Sequence, residues 1–164
     1  MTTNGLRLAE LARPLKEAGL ERVNVSVDTL DPDRFRRVTR GGKLDKVMAG
    51  IYAAETCGLT PLKINAVVAR GFNDHDVIEL ARLTLTHHWQ VRFIEMMPFG
   101  DVAGFAQDAV VSQEEIMQRI AAELGPLTPL EDGRLDGEAR LYRLHGALAA
   151  IGFISTVTNP FCAS

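Results

Sequence analysis

The chain has 164 residues, of which 46% are hydrophobic and 24% are charged, and its formal net charge is −3. This length and composition predict one soluble domain with a core. They exclude a membrane span or a basic nucleic-acid-binding tail, and no signal peptide is recognised. The two cysteines, Cys57 and Cys162, form no short-spaced metal motif and fit a reducing environment, so we expect a cytoplasmic protein.

The first hundred residues alternate between helical and strand patterns. We predict helices over 6–19, from Pro32 to about Val38, over about 44–57 and over about 74–86. Strands are predicted over 22–28, 62–68 and 90–95. Three strands separated by helices indicate an α/β fold with a parallel sheet. The residues before the first helix resemble the exit of a further strand.

The pattern changes after Glu95. Residues 96–111 are predicted to form a long loop, and such loops are often functional. Ser112-Gln113-Glu114-Glu115 is a capping box that begins a helix ending near Leu124. Segments 139–145 and 150–157 are predicted to form an antiparallel pair around Gly146.

Polar side chains recur at alternate positions within the three predicted strands. Successive strand side chains point to opposite faces, so each strand has one apolar and one polar face. A buried parallel strand is ordinarily apolar on both faces, and buried charge is costly. We therefore expect a polar, anionic ligand inside a curved sheet. The polar positions are Asn24, Ser26, Asp28, Lys63, Asn65 and Arg92.

Several polar residues at the strand ends can be explained by a structural role as well as by ligand binding. Sites in βα folds lie at the carboxyl ends of the strands, where Thr2, Asn4, Ser26 and Asp28 are placed. Thr2 and Asn4 could equally belong to a helix-capping cluster. Ser26 and Asp28 could equally bond to a neighbouring turn.

The two basic residues favour ligand contact more strongly. Lysine is almost never buried alone, so Lys63 is expected to pair with Asp28 or with a phosphate. The guanidinium fork of Arg92 suits phosphate or carboxylate. Asn73 and Asp74 are predicted to cap a helix, and Cys162 is the only thiol given a ligand role.

Five motifs resemble the molybdenum cofactor biosynthesis protein A family, the radical S-adenosylmethionine (SAM) GTP 3′,8-cyclases. Their order and spacing match, and so does the ending Asn159-Pro160-Phe161-Cys162. The motifs are Thr2-Thr3-Asn4-Gly5, Asn24-Val25-Ser26-Val27-Asp28, Lys63-Ile64-Asn65-Ala66-Val67-Val68, Arg70-Gly71-Phe72-Asn73-Asp74 and Arg92-Phe93-Ile94-Glu95-Met96-Met97-Pro98.

The resemblance implies a partial (β/α) radical-SAM barrel of the TIM type over residues 1–98. An antiparallel C-terminal extension would occupy residues 99–164. It also implies an enzyme with SAM and two 4Fe–4S clusters. A SAM-derived 5′-deoxyadenosyl radical would convert GTP to (8S)-3′,8-cyclo-7,8-dihydroguanosine 5′-triphosphate in molybdopterin biosynthesis.

Site residues follow from the resemblance by position. Ser26 and Met97 match SAM contacts. Thr2, Lys63 and Arg92 match residues near GTP. Cys162 matches a ligand of the second cluster, and Asn4, Asp28 and Asn65 are expected to line the pocket.

The sequence also departs from the family pattern. The N-terminal CxxxCxxC motif is not present, and two further cysteines of the second cluster are missing. We therefore expect a central-to-C-terminal fragment that cannot cleave SAM by itself. The alternative is a non-catalytic nucleotide-binding protein or a degenerate radical SAM fragment. Exposed sheet edges would favour association, such as a homodimer.

Overall fold

The computed structural model describes residues 1–96, 109–130 and 139–155. The strands are β1 (Thr2–Thr3), β2 (Val23–Ser26), β3 (Leu62–Val68), β4 (Trp89–Glu95), β5 (Leu127–Pro129), β6 (Arg140–Leu144) and β7 (Ile151–Ile154). The helices are α1 (Leu8–Glu17), α2 (Pro32–Val38), α3 (Leu44–Thr56), α4 (Val77–Thr86) and α5 (Gln113–Leu124).

One sheet joins these strands in the order β1-β2-β3-β4-β7-β6-β5. The pairs from β1 to β4 and the β4–β7 pair are parallel, whereas β6 pairs antiparallel with both β7 and β5. This confirms the predicted α/β fold and the antiparallel C-terminal pair. The sheet is wider than predicted, because β7 also pairs with β4. A four-residue strand carries no local signal of which strands will flank it.

Two helix starts follow directly from local chemistry. Asp31 accepts a hydrogen bond from the Arg34 backbone N–H at 2.7 Å, and Pro32 follows it at the start of α2. The hydroxyl of Ser112 accepts from the Glu115 N–H at 3.2 Å, as the capping box predicts for α5.

The core lies between the helices and one face of the sheet. Val25, Ile64 and Val91 on that face are fully buried. Helices α1 and α3 approach closely, since a Cβ on Gly50 would lie 2.9 Å from Cβ of Leu8 and 3.3 Å from the backbone nitrogen of Ala9. None of the helices in the described ranges has the length and apolar character needed to cross a bilayer. Because the helices cover one face, the opposite face of the strands is left for the polar side chains.

Candidate functional site

The parallel register brings the alternating polar residues together on the face opposite the helices. Residues paired across parallel strands point to the same side of the sheet. The polar side chains therefore form two rows across the strands. The first polar row consists of Thr2, Asn24, Lys63 and Gln90. The second polar row consists of Ser26, Asn65 and Arg92, and Gly152 of β7 follows Arg92 in register.

Both rows contain a buried cation. Lys63 is 6% exposed and Arg92 is 8% exposed. They lie on neighbouring strands, with Arg92 one row closer to the carboxyl ends. An ammonium and a guanidinium on one face form an electropositive surface of the kind that binds phosphate and carboxylate groups. The expected arrangement of basic groups on the polar face is therefore present.

Two buried side-chain amide atoms on the same face have no hydrogen-bond partner within the described part of the chain. They are Oδ1 of Asn65 in the second row and Nε2 of Gln90 in the first. Most buried polar atoms in proteins are hydrogen-bonded, and an unsatisfied one destabilises the fold. Such atoms mark places where a ligand can complete the hydrogen bonding. Sequence reasoning missed Gln90, although the alternation Trp89-Gln90-Val91 would have revealed it.

The remaining predicted residues lie at the rim. Thr2 and Asn24 are in contact, with Nδ2 of Asn24 donating to Oγ1 of Thr2 at 3.4 Å. Asn4 accepts from the Leu6 N–H at 3.2 Å, so its side chain makes a local turn before α1. Ser26 is exposed at the carboxyl end of β2. Thus Thr2 and Ser26 belong to the polar rows, whereas the Asn4 side chain forms a hydrogen bond within the turn before α1.

Asp28 continues the pairing of β2 and β3 beyond the second row. Its Oδ1 accepts from the Val67 backbone N–H at 2.9 Å. Burial raises the pKa of the Asp28 carboxyl, and the Val67 hydrogen bond opposes this shift only in part. The carboxylate is thus held by the backbone near the carboxyl ends of the strands.

The prediction that Asn73 and Asp74 cap a helix is wrong. Helix α4 begins later, at Val77, and its N-cap residue is Asp76, which makes no side-chain cap bond. Asn73 is 1% exposed. Its Nδ2 donates to the backbone oxygens of Asp28 at 2.7 Å and Val67 at 2.8 Å. A buried amide that joins two strand ends needs tertiary contacts which the local sequence does not show.

Asp74 contributes to an ion network that anchors the turn after β3 to α5. Arg119 contacts Asp74 at 2.9 Å and Glu115 at 2.8 Å, and Arg70 contacts Glu115 at 2.6 Å. The Arg70 hydrogen bond is the main cause that lowers the pKa of Glu115. Burial would raise the pKa of Asp74, but the hydrogen bond from Arg119 and further contacts lower it. These pairs fix the turn that carries Asn73.

Gly152 is a second feature that sequence reasoning missed. A Cβ at this position would lie 3.1 Å from Cγ of Arg92, 3.2 Å from Cβ of Ala139 and 3.3 Å from Cδ2 of Leu141. The glycine therefore leaves room for the Arg92 side chain. A glycine inside a strand commonly marks such a close approach, which is the signal that could have identified it.

Met97 and Cys162 lie outside the described residues. Within the described ranges, no group of three or more His, Cys, Asp or Glu side chains is placed to hold a metal ion. Cys57, the one cysteine that the structure describes, is half-buried at the end of α3.

Comparison with known families gives two matches along the chain. Residues 1–84 match the model of the Radical SAM superfamily, and residues 89–164 match Molybdenum Cofactor Synthesis C. The first match covers more than half of the chain. The chain belongs to the radical SAM superfamily.

Curated relatives agree with this assignment. The chain is 46% identical over 162 residues to a GTP 3′,8-cyclase of Pelotomaculum thermopropionicum, covering 99% of this chain and 50% of the relative. It is 47% identical over 162 residues to that of Moorella thermoacetica, with the same two coverages. The chain thus spans about half the length of the curated relatives it matches.

A solved structure supports the fold. A radical SAM methyltransferase from Sphaerobacter thermophilus superposes with a TM-score of 0.54 and 22% sequence identity. The match covers 76% of this chain and 38% of that one. The open, mostly parallel sheet is therefore part of a radical-SAM-type barrel.

Proposed function

We propose that this chain is the central-to-C-terminal portion of a GTP 3′,8-cyclase of molybdopterin biosynthesis. The observation that carries the proposal is the pair of polar rows, with Lys63 and Arg92 buried side by side on one face of a radical-SAM-type sheet. The relatives named as GTP 3′,8-cyclases and the match to Molybdenum Cofactor Synthesis C support the same activity. In this proposal residues 1–98 belong to the barrel and residues 99–164 to the C-terminal extension.

The basic residues would hold the triphosphate of GTP. Lys63 presents a compact charge with three donors, and Arg92 presents a planar fork that suits two phosphate oxygens at once. Thr2 extends the first row at the edge of the sheet. Such anchoring fixes the ribose and guanine relative to the reacting groups, which is how positioning lowers a reaction barrier.

The second polar row would contribute to the SAM site. Ser26 and Asn65 offer a hydroxyl and an amide oxygen toward the carboxyl ends of the strands. The Oδ1 of Asn65 has no partner in the described ranges, so it can accept a hydrogen bond from a ligand. Asp28 would line the same end of the pocket. Met97 is proposed as a further SAM contact and Asn4 as a pocket residue. When bound by its cluster, SAM supplies the hydrogen-abstracting chemistry of the family.

The residues of this chain do not fit a complete 4Fe–4S cluster. Such clusters are held mainly by several cysteine thiolates, whereas the sequence contains two cysteines and Cys57 lies beside α3. We propose Cys162 as one ligand of the second cluster. The 164-residue chain is therefore expected to bind GTP without cleaving SAM. Formation of 5′-deoxyadenosine by this polypeptide after anaerobic iron–sulfur reconstitution would contradict that expectation.

Calorimetric titration of GTP tests the phosphate assignment. Lys63→Ala and Arg92→Ala should each weaken GTP binding by about tenfold or more, because each removes a charged hydrogen-bond donor. Lys46→Ala and Arg13→Ala are matched controls at exposed helix positions and should leave the affinity unchanged. Unaltered affinity in both row variants would refute the assignment. GTP binding without turnover would leave a non-catalytic nucleotide-binding role for the isolated chain.

A further inference from the structure

Gln90 is a residue of the polar face to which the proposed function gives no role. It lies in β4 directly opposite Lys63 in the parallel register. Its Nε2 atom is buried, and the described residues provide no hydrogen-bond partner for it. A side-chain amide nitrogen carries two donor hydrogens, so this position has an unused donor.

The neighbours of Gln90 define what could satisfy that donor. Lys63 carries an ammonium group, which donates and cannot accept. On the other side of Lys63, the Nδ2 of Asn24 already donates to Oγ1 of Thr2, so it is satisfied within the row. Lys63 and Gln90 therefore place a cationic donor and an unused amide donor side by side, and a group that complements both must offer acceptor oxygens and carry negative charge.

The distances within the sheet favour a shared ligand. Neighbouring strands lie about 4.8 Å apart, so the side chains of Lys63 and Gln90 can reach one phosphate or two successive ones. Arg92 lies two residues further along the same strand as Gln90, at a separation of about 6.6 Å. A polyphosphate chain matches this two-row spacing of donors, whereas a single carboxylate would engage one row.

We propose that Gln90 is a binding residue for the triphosphate, donating its Nε2 hydrogen bond to a phosphate oxygen beside Lys63. This inference rests on the proposed function, because it takes GTP as the ligand of the polar face. It adds an uncharged donor to the two cations and gives the first row a second direct contact with the ligand.

Titration of the 164-residue chain with GTP, inorganic tripolyphosphate and guanosine tests this role. Gln90→Ala should weaken both phosphate-containing ligands by about fivefold to tenfold, through loss of a hydrogen bond to a charged group, and should leave guanosine binding unaltered. Gln90→Glu should weaken them further, since it places a carboxylate beside phosphate. Gln118→Ala, on the exposed face of α5, is the matched control.

The thermal midpoint separates a binding role from a structural one. Because the Nε2 donor has no partner to lose in the described protein, Gln90→Ala should not lower the midpoint of the ligand-free chain. A lowered midpoint with unchanged tripolyphosphate affinity would overturn the inference. So would an effect on guanosine alone, which would assign Gln90 to the base.

The same titrations distinguish this inference from the proposed function. If Lys63→Ala and Arg92→Ala weaken GTP binding but Gln90→Ala and Gln90→Glu do not, only the role of Gln90 is refuted. If the unaltered chain binds neither GTP nor tripolyphosphate, the proposed function fails and the role of Gln90 fails with it.

Discussion

Replacing Asn73 with alanine removes the side chain that joins the carboxyl ends of β2 and β3. Three hydrogen bonds are lost: Nδ2 to the oxygens of Asp28 (2.7 Å) and Val67 (2.8 Å), and the Ala69 N–H to Oδ1 (2.8 Å). Each contributes about 1 kcal/mol net, and the residue is 1% exposed, so the former partners are left in a buried environment. We expect the free energy of unfolding to fall by about 3 kcal/mol.

Urea denaturation followed by tryptophan fluorescence measures this loss. Trp89 is the single tryptophan of the chain and is 1% exposed, so its emission reports exposure of the core. With a urea dependence of about 2 kcal/mol per molar, the midpoint should fall by about 1.5 M.

Asn65→Ala is the matched control for this measurement. It makes the same chemical change on β3, but Oδ1 of Asn65 has no hydrogen-bond partner in the described ranges. Its midpoint should therefore move by less than about 0.3 M. Equal shifts for the two variants would refute the conclusion that Asn73 holds the strand ends together.

Three further substitutions test other parts of the structure. Gly152→Ala should lower the free energy of unfolding by about 1 kcal/mol in the same urea assay, because its Cβ would lie 3.1 Å from Cγ of Arg92; an unchanged midpoint would contradict this packing. Gly50→Ala should lower the free energy of unfolding by about 1–3 kcal/mol, because its Cβ would lie 2.8 Å from the carbonyl oxygen of Gly5. A variant more stable than the unaltered chain would contradict this close contact. Burial raises the pKa of Asp28, so the stability that its protonated form contributes is present at low pH and is lost as the pH rises through the raised value. Asp28→Asn keeps the accepting oxygen and should therefore gain stability relative to the unaltered chain as the pH rises to neutral; urea midpoints that stay parallel across that range would exclude this effect.

The elements with strong local signals were predictable from the sequence. Asp31-Pro32 and the Ser112 capping box begin helices where expected, because capping depends on a few adjacent residues. The three parallel strands were found by their apolar alternation. Strand β5 was not predicted, since its residues lie in a segment rich in proline, glycine and charge, and β5 forms only through pairing with β6.

The candidate site was predicted only in part, because local alternation identifies the polar residues of a strand but not their neighbours on other strands. Alternation within single strands identified Asn24, Ser26, Lys63, Asn65 and Arg92 as one polar face, and the observed register places them in two rows. The assignment of Ser26 to SAM and of Lys63 and Arg92 to GTP remains a prediction. Gln90 and Gly152 each had a local signal, strand alternation and a glycine inside a strand, but their partners Lys63 and Arg92 lie on other strands.

The one-dimensional pattern is sufficient to identify the alternating helices and strands, the polar side of each strand and its positive charge, because each depends on residues at most a few positions apart. Only the tertiary structure decided which polar atoms become neighbours. Register sets Gln90 beside Lys63 and Gly152 beside Arg92. The register also lets the buried amide of Asn73 join two strand ends. These ends meet where Asp28 contacts Val67, two residues that lie 39 positions apart in the sequence. Such long-range contacts depend on packing of the whole sheet, and no local spacing encodes them.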